Sequence, residues 1–336
     1  MKSFFLYRLP GEEHFTGGTG RVVKGLTHGF LIAPFNAGKD NLYTILREEE
    51  FRIDDLMEWE ADFYNSPSLP SLHPFPESTT ERDRHLESVR FLISQLGSNE
   101  KTVLSRIFVK EKGIDIPSSL ASLASAFPNA MTFAFYTPFS GLWLGASPEL
   151  LLRKRGDTLE TMALAGTRPS GGIEDWDNKN IEEQEMVSTY LRNFFKSRSL
   201  PYSYSLPYTH RAGPIEHLRT DFKISLPKHT DKETLADLIV NLSPTPALCG
   251  LPVEKSLRLI YDLEEVERGF YGGFFGEVKD DGDFDLYVLL RSLRIEPQRW
   301  CLYAGGGITS KSDPEEEWKE TERKGNAIIS RLIFRS

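Results

Sequence analysis

The chain has 336 residues, enough for one large domain or two small ones, and its 39% hydrophobic and 26% charged content is that of an ordinary globular protein. A net charge of −9 with no Lys/Arg cluster excludes nucleic acid and acidic membrane surfaces as main partners, since both call for a basic stripe. Two cysteines, Cys249 and Cys301, at no metal-ligand spacing exclude a disulfide scaffold and predict a reducing, cytoplasmic setting.

The first 15 residues carry too short an apolar stretch for a signal peptide, and no run approaches the ~20 apolar residues of a membrane span. Residues 1–75 mix glycine, proline and charge without clear chemistry. Within them "TGGTG" at 16–20 lacks the lysine of a phosphate-binding loop and reads as a turn. Residues 65–81, rich in proline and serine, read as a surface connection. Leu86, Val89, Leu92 and Ile93 share one face and predict a helix over 80–96. Alternating, β-branched runs then predict strands at 101–110 and in "AMTFAFYTP", and strands within 141–164 joined by a hairpin turn at 155–157. Helices follow at 178–196, 232–241 and 253–267. Strands return over 273–296, with a turn at 280–283, and over 299–307, and a closing helix spans 314–334. Hairpins interleaved with helices predict a mixed α/β architecture of the α+β type, mostly antiparallel, and no βαβ unit carries a dinucleotide fingerprint. There is no internal repeat.

Two helices carry acids in unexpected places. In 178–196 the apolar stripe is Val187, Tyr190, Leu191, Phe194 and Phe195. Glu183 lies near its middle, whereas Glu182 and Glu185 face the other way. A buried carboxylate costs several kcal/mol, so Glu183 should have a cation partner or be protonated. Its place in the first turns offers the helix dipole as a plainer account. Near the C-terminus "GGGITSKSDPEEEWKETERKG" (305–325) runs from a glycine-rich stretch into a helix. Asp313 is its N-cap, Pro314 suits the first position, and Glu316 closes a capping box. Trp318, Thr321, Ile328 and Leu332 make the apolar stripe; Glu317, Glu320 and Lys324 line its margin. Glu320 and Lys324, four apart, also suit a simple ion pair. Acids converging from two helices make a hard-cation site, and few carboxylates plus ligand oxygens suit Mg²⁺ better than Ca²⁺. Glycine N–H groups beside a helix start favour an anion. The expected substrate is small and multiply anionic.

"LGASPELLL", "LAGTRP", "SPTPALCGLP", "FYGGFFGEV", "LLRSLRI", "LYAGGGI" and "EEWKETERK", in that order over about 100–334, resemble the chorismate-utilising enzymes, among them isochorismate, anthranilate, aminodeoxychorismate and salicylate synthases. The resemblance implies a single large domain over 1–336, with a variable part at 1–80 and a catalytic core at 100–334, built as a β-sheet core flanked by helices. It implies chorismate, a dicarboxylate, as substrate and Mg²⁺ as cofactor. Glu183 and Glu320 resemble the metal ligands, with Glu317 a secondary contact. Tyr271 and Arg291 resemble the pair that grips the enolpyruvyl carboxylate, a role suited to a guanidinium fork. Gly305, Gly306 and Gly307 supply donors, and Gly166, Thr167, His217, Ala247 and Lys324 line the pocket. Lys101 matches the general base of isochorismate synthases; such a role requires burial or a nearby cation to favour the free amine. Glu149 matches the acid that protonates the leaving C4 hydroxyl, and Pro148 before it and three leucines after it provide a setting that keeps it protonated. Ala247 and Ala165 stand where ammonia-using and lysine-nucleophile relatives carry threonine and lysine, so water is the expected nucleophile. The expectation is an isochorismate synthase serving menaquinone or siderophore synthesis. Salicylate synthase, an anthranilate or aminodeoxychorismate synthase, and a non-catalytic chorismate-binding subunit are the alternatives. The 167–183 connection is shorter than the family pattern, and the N-terminal third matches it poorly. Nothing requires more than a monomer, and a weak homodimer stays open.

Overall fold

The computed structural model describes residues 2–53, 56, 73–171, 175–212 and 215–335. Two large antiparallel sheets face each other. The first has nine strands in the spatial order Gly250–Leu251, Lys101–Lys110, Arg299–Thr309, Ser292–Glu296, Gly141–Ser147, Met131–Thr137, Ser3–Arg8, Phe15–Gly20 and Glu49–Ile53. The second runs Tyr202–Tyr204, Ile215–Ser225, Thr158–Pro169, Leu150–Arg155, Phe284–Val288, Phe274–Val278, Gly29–Ala33, Tyr43–Ile45 and Val22–Lys24, with Tyr208–Ala212 also pairing Ile215–Ser225.

Period-two alternation decides which side chains meet. Phe5, Tyr7, Phe133, Phe135 and Trp143 of the first sheet and Phe30, Ile32, Phe275 and Tyr287 of the second point into the space between the sheets. There the ring centroids of Phe133 and Phe275 are 4.1 Å apart, and Phe5 stacks on Phe30 at 4.7 Å. Their chain neighbours Phe4, Leu6, Ala134, Leu142 and Leu144 point outward from the first sheet. Six helices are described: α1 (Arg82–Gln95), α2 (Ile116–Ala126), α3 (Asn178–Ser197), α4 (Lys232–Leu242), α5 (Val253–Leu263) and α6 (Pro314–Ile329). Through Leu120, Leu123 and Ile328, α2 and α6 cover the outer face of the first sheet. Through Leu191, Phe195, Leu235 and Ile239, α3 and α4 cover that of the second. The result is a helix–sheet–sheet–helix sandwich with an antiparallel α+β core, as the strand pattern predicts.

Several local expectations change. "TGGTG" is no turn but part of the strand Phe15–Gly20, paired with Ser3–Arg8. Its glycines serve close approach: a Cβ on Gly17 would fall 2.2 Å from the Phe51 ring, and one on Gly20 would fall 1.7 Å from the Leu46 carbonyl oxygen. Helix α2 was not predicted, although Asp115 caps it by accepting from the Ser118 N–H and a proline opens it. The helix predicted over 253–267 stops at Leu263, and the closing helix stops at Ile329, after which Ile333–Phe334 pairs with Ile114–Asp115. Of the predicted connection at 65–81, residues 65–72 lie outside the described residues. The run 284–296 is two strands rather than one, because the chain leaves the second sheet after Val288 and enters the first at Ser292. An equivalent crossover at Pro148 and Glu149 links Gly141–Ser147 of the first sheet to Leu150–Arg155 of the second. Among the described residues no helix is long and apolar enough to cross a membrane.

Candidate active site

The two crossovers lie side by side. The Ala146 N–H donates to the Arg291 carbonyl, the Ser147 hydroxyl donates to the Val288 carbonyl, and the Val288 N–H donates to the Glu149 carbonyl. Glu149 and Arg291 therefore stand together where both sheets meet. Arg291 has φ of +47°, a left-handed conformation that a bulky side chain adopts only when its surroundings enforce it. Beside them opens a cleft lined by side chains from both sheets.

Its walls come from both sheets and two helices. Lys101 and Val103 line it from one strand and Tyr303 to Gly305 and Gly307 from its partner, in register through the pairs Lys101–Thr309 and Ser105–Gly305. Leu164 to Thr167 and His217 line it from the second sheet. There the ladder slips between Ala165 and Arg168, and Gly166 takes φ of +72°, conditions of a bulge that turns its backbone toward the cleft. Glu183 enters from α3, Lys324 and Ile328 from α6, and Ala247, Tyr271, Glu149 and Arg291 from connections. Of the site residues expected from sequence, Gly306, Glu317 and Glu320 are absent from this lining. Glu320 lies one layer behind, 2.7 Å from Lys324, whose ammonium also donates to the Gly305 carbonyl.

Charges in the cleft are paired and buried. The Lys101 ammonium, 1% exposed, lies 2.7 Å from Glu183 Oε1, so the inward-facing acid of α3 does have a cation partner. Glu182 and Glu185 face outward and pair with Lys311 and Arg192. Burial pushes the Glu149 carboxyl up to about 7, against the pull of Lys101, Arg291 and Lys324. Burial lowers the Arg291 guanidinium to about 10, with Glu149 opposing. His217 is held neutral by burial and by Arg291. Its Nδ1 lies 2.7 Å from the Gly166 carbonyl oxygen and so carries the proton, leaving Nε2 to accept from Arg291 at 2.7 Å. Tyr271 stacks on Tyr303 at 5.0 Å, and burial raises its phenol to about 12, so it remains a neutral donor.

An ion pair outside the expected set braces this region. Past Thr102 the Lys101 strand has no neighbouring strand on its outer side among the described residues. There the Arg268 guanidinium donates to the Val103 and Leu248 carbonyls and to Glu264, and Glu264 Oε1 accepts from the Ser105 N–H. The pair thus ties the Lys101 strand to the connection bearing Ala247 and, three residues on, to Tyr271.

Three acids approach the glycine strand: Glu183 from α3, and Glu317 and Glu320 from α6. A Cβ on Gly307 would fall 2.5 Å from Glu183 Oε1; one on Gly306 would lie 3.3 Å from Glu317 Oε2 and 4.0 Å from Glu320 Oε1. Among the described residues no three acids, histidines or cysteines close around one point. Two carboxylates at most offer direct ligation, and the orphaned, buried Glu317 Oε2 behind them marks a place where positive charge is favourable. Such a donor set fits Mg²⁺, which takes one or two carboxylates and fills its remaining positions with water and ligand oxygens.

The family model described as chorismate binding enzyme matches residues 31–333. The chain belongs to the chorismate-binding enzyme family. Within that family it is 30% identical over 244 residues to isochorismate synthase EntC of Escherichia coli, covering 69% of this chain and 62% of EntC. It is 30% identical over 313 residues to isochorismate synthase MenF of the same organism, covering 86% of this chain and 70% of MenF. The chain therefore spans under two-thirds of EntC's length. Among solved structures, MenF, the menaquinone-specific isochorismate synthase from Escherichia coli, superposes with a TM-score of 0.79 at 21% identity, over 98% of this chain and 89% of MenF. Anthranilate synthase component I from Streptococcus pneumoniae superposes with a TM-score of 0.69 at 18% identity, over 98% of this chain and 90% of that one. In this chorismate-binding fold the N-terminal third, poor in motifs, supplies strands to both sheets.

Proposed function

We propose that this chain is an isochorismate synthase that converts chorismate to isochorismate with Mg²⁺ as cofactor, in the cytoplasm, for menaquinone or siderophore assembly. The observation that carries the reading is a buried amine, Lys101, and a buried carboxyl, Glu149, in one cleft, the carboxyl keeping its proton to about 7. An attack by water needs a base on the entering oxygen and an acid on the departing one, and this pair supplies both. The similarity to EntC and MenF points to the same reaction.

In this mechanism Lys101 gives up its contact with Glu183 and releases its ammonium proton to solvent, and the free amine then takes a proton from the water that adds to ring C2. The ring double bond shifts, the C4–O bond breaks, and Glu149 protonates the departing hydroxyl. One water enters and one leaves, so the product is an isomer. Arg291 and Tyr271 hold the enolpyruvyl carboxylate; His217 keeps the guanidinium aimed without competing for a proton. The N–H groups of Gly305 and Gly307 and the side of Thr167 and Gly166 position the ring, Gly306 being paired with Leu104 in the ladder, and Lys324 adds positive charge. Glu183 and Glu320 would hold Mg²⁺, with Glu317 a secondary contact, and the ion supplies charge neutralisation for the ring carboxylate. Ala247 and Ala165 stand where ammonia-using relatives carry a threonine and lysine-nucleophile relatives a lysine, which supports water as the nucleophile.

Incubation with chorismate and Mg²⁺, followed by chromatography of the products, tests the reading. Isochorismate is expected from the wild type and not from Lys101→Ala. Salicylate with pyruvate, or anthranilate when ammonia is present, would assign another branch, and intact chorismate would leave a binding subunit.

A further inference from the structure

Lys179 lies in the first turn of α3, four residues before Glu183 and on the same side of the helix. Its ammonium donates to Glu317 Oε1, tying α3 to α6, and it sits in the field of Glu320 and Glu183 as well. Glu317 is 1% exposed, and its other oxygen, Oε2, makes no close hydrogen bond, although the nearby Ser312 side chain also favours its ionised form. That oxygen and Glu320 Oε1 lie near the same point beside Gly306, at 3.3 and 4.0 Å from where a Cβ would stand. Three carboxylates thus face the glycine strand, and an uncompensated buried carboxylate among them would be costly.

We infer that Lys179 is the counter-cation reserved for Glu317, as Lys101 pairs with Glu183 and Lys324 with Glu320: by engaging Glu317 it keeps that carboxylate from direct coordination and limits the set offered to a divalent ion to Glu183 and Glu320. The inference rests on the Mg²⁺ reading above. Two carboxylates balance the ion's charge. A third would leave a net negative site, favour the larger Ca²⁺, and repel the carboxylate of an anionic substrate. Lys179 touches neither substrate nor ion in this account; it is a positioning residue, acting through Glu317.

Calorimetric titration of the full chain with MgCl₂, without chorismate, tests it. Lys179→Met should bind Mg²⁺ roughly tenfold more tightly than wild type, the scale on which groups behind metal ligands act. Its melting temperature should lie below that of wild type in EDTA and rise further on adding Mg²⁺. Lys179→Met/Glu317→Gln, which removes both charges, should bind as wild type does. A merely structural tie between α3 and α6 predicts lower melting temperatures with no gain in Mg²⁺ affinity. Equal or weaker binding by folded Lys179→Met therefore overturns the inference. Should that variant not fold, the double variant decides: wild-type affinity supports the inference, and roughly tenfold weaker binding means that Glu317 ligates the ion directly and overturns it. If wild type itself binds no Mg²⁺, the metal reading fails and the inference falls with it, a failure visible before any substitution is made.

Discussion

A carboxyl group holds its proton at neutral pH only where water cannot reach its ionised form. Glu149 meets that condition: it is 4% exposed, and burial outweighs three nearby cations. Its folded-state pKa, about 7 against an ordinary 4.5, means that the folded protein binds a proton the unfolded chain has released. The stabilisation is fully present below about 4.5 and is lost as pH rises through 7, a difference on the order of 3 kcal/mol. Glu149→Gln removes that dependence. The gap between wild-type and variant unfolding free energies, measured in urea at pH 5 and pH 8, should change by about that amount; parallel values would refute the assignment. Turnover by the variant should fall by roughly 10²–10⁴-fold. The proline before Glu149 and the leucines after it made this desolvation legible in the sequence. Lys179 had a signal too, its four-residue spacing from the inward Glu183, but one lysine among forty basic residues gains meaning only when α6 brings Glu317 to it. The proton on His217 Nδ1 was not legible at all, because the Gly166 carbonyl that fixes it lies 51 residues away.

At the scale of elements, the glycine strand and α6 form one unit. Asp313 caps α6 by accepting from the Glu315 and Glu316 N–H groups, and a proline opens it, as the sequence predicts. The Glu316 carboxylate pairs with Lys319. Arg106 reaches across from the Lys101 strand, donating to the Thr321 hydroxyl and lying 3.4 Å over the Trp318 ring, so the helix is fixed against the strands it serves. Between them the glycines provide room rather than flexibility. A Cβ on Gly307 would meet Glu183 Oε1 at 2.5 Å and Lys101 Cε at 2.7 Å. Gly307→Ala should therefore lower kcat by about 10²-fold or more, while costing about 1–3 kcal/mol of stability, the usual penalty of overpacking. Wild-type kcat in a folded variant would mean that these two side chains have other places to go. Periodicity revealed α3 almost to the residue and the start of α6, but it ran α6 on into the strand Ile333–Phe334. It failed at "TGGTG", because glycine enters a strand when a neighbouring ring or carbonyl fills the space of its side chain, and that neighbour is remote in sequence.

Across the whole molecule, the aromatic layer between the sheets sets their separation. Phe133, fully buried against Phe275, lies at its centre. Phe133→Ala should cost about 3–5 kcal/mol. Because the cleft is walled by both sheets, its turnover should vanish at lower urea than its far-UV circular dichroism; coincident transitions would show that the sheets and the site fail together. The two-sheet, antiparallel character was readable from alternation along each strand. The points where the chain changes sheet were not, since "LYVLLRSLRI" keeps one apolar texture through the break. Those crossovers carry Glu149 and Arg291, so neither group hangs from a surface excursion. A descendant of this protein could lengthen or trim its outer turns freely and keep the same chemistry. To acquire a different nucleophile it would have to exchange side chains on the rigid frame itself, one position at a time.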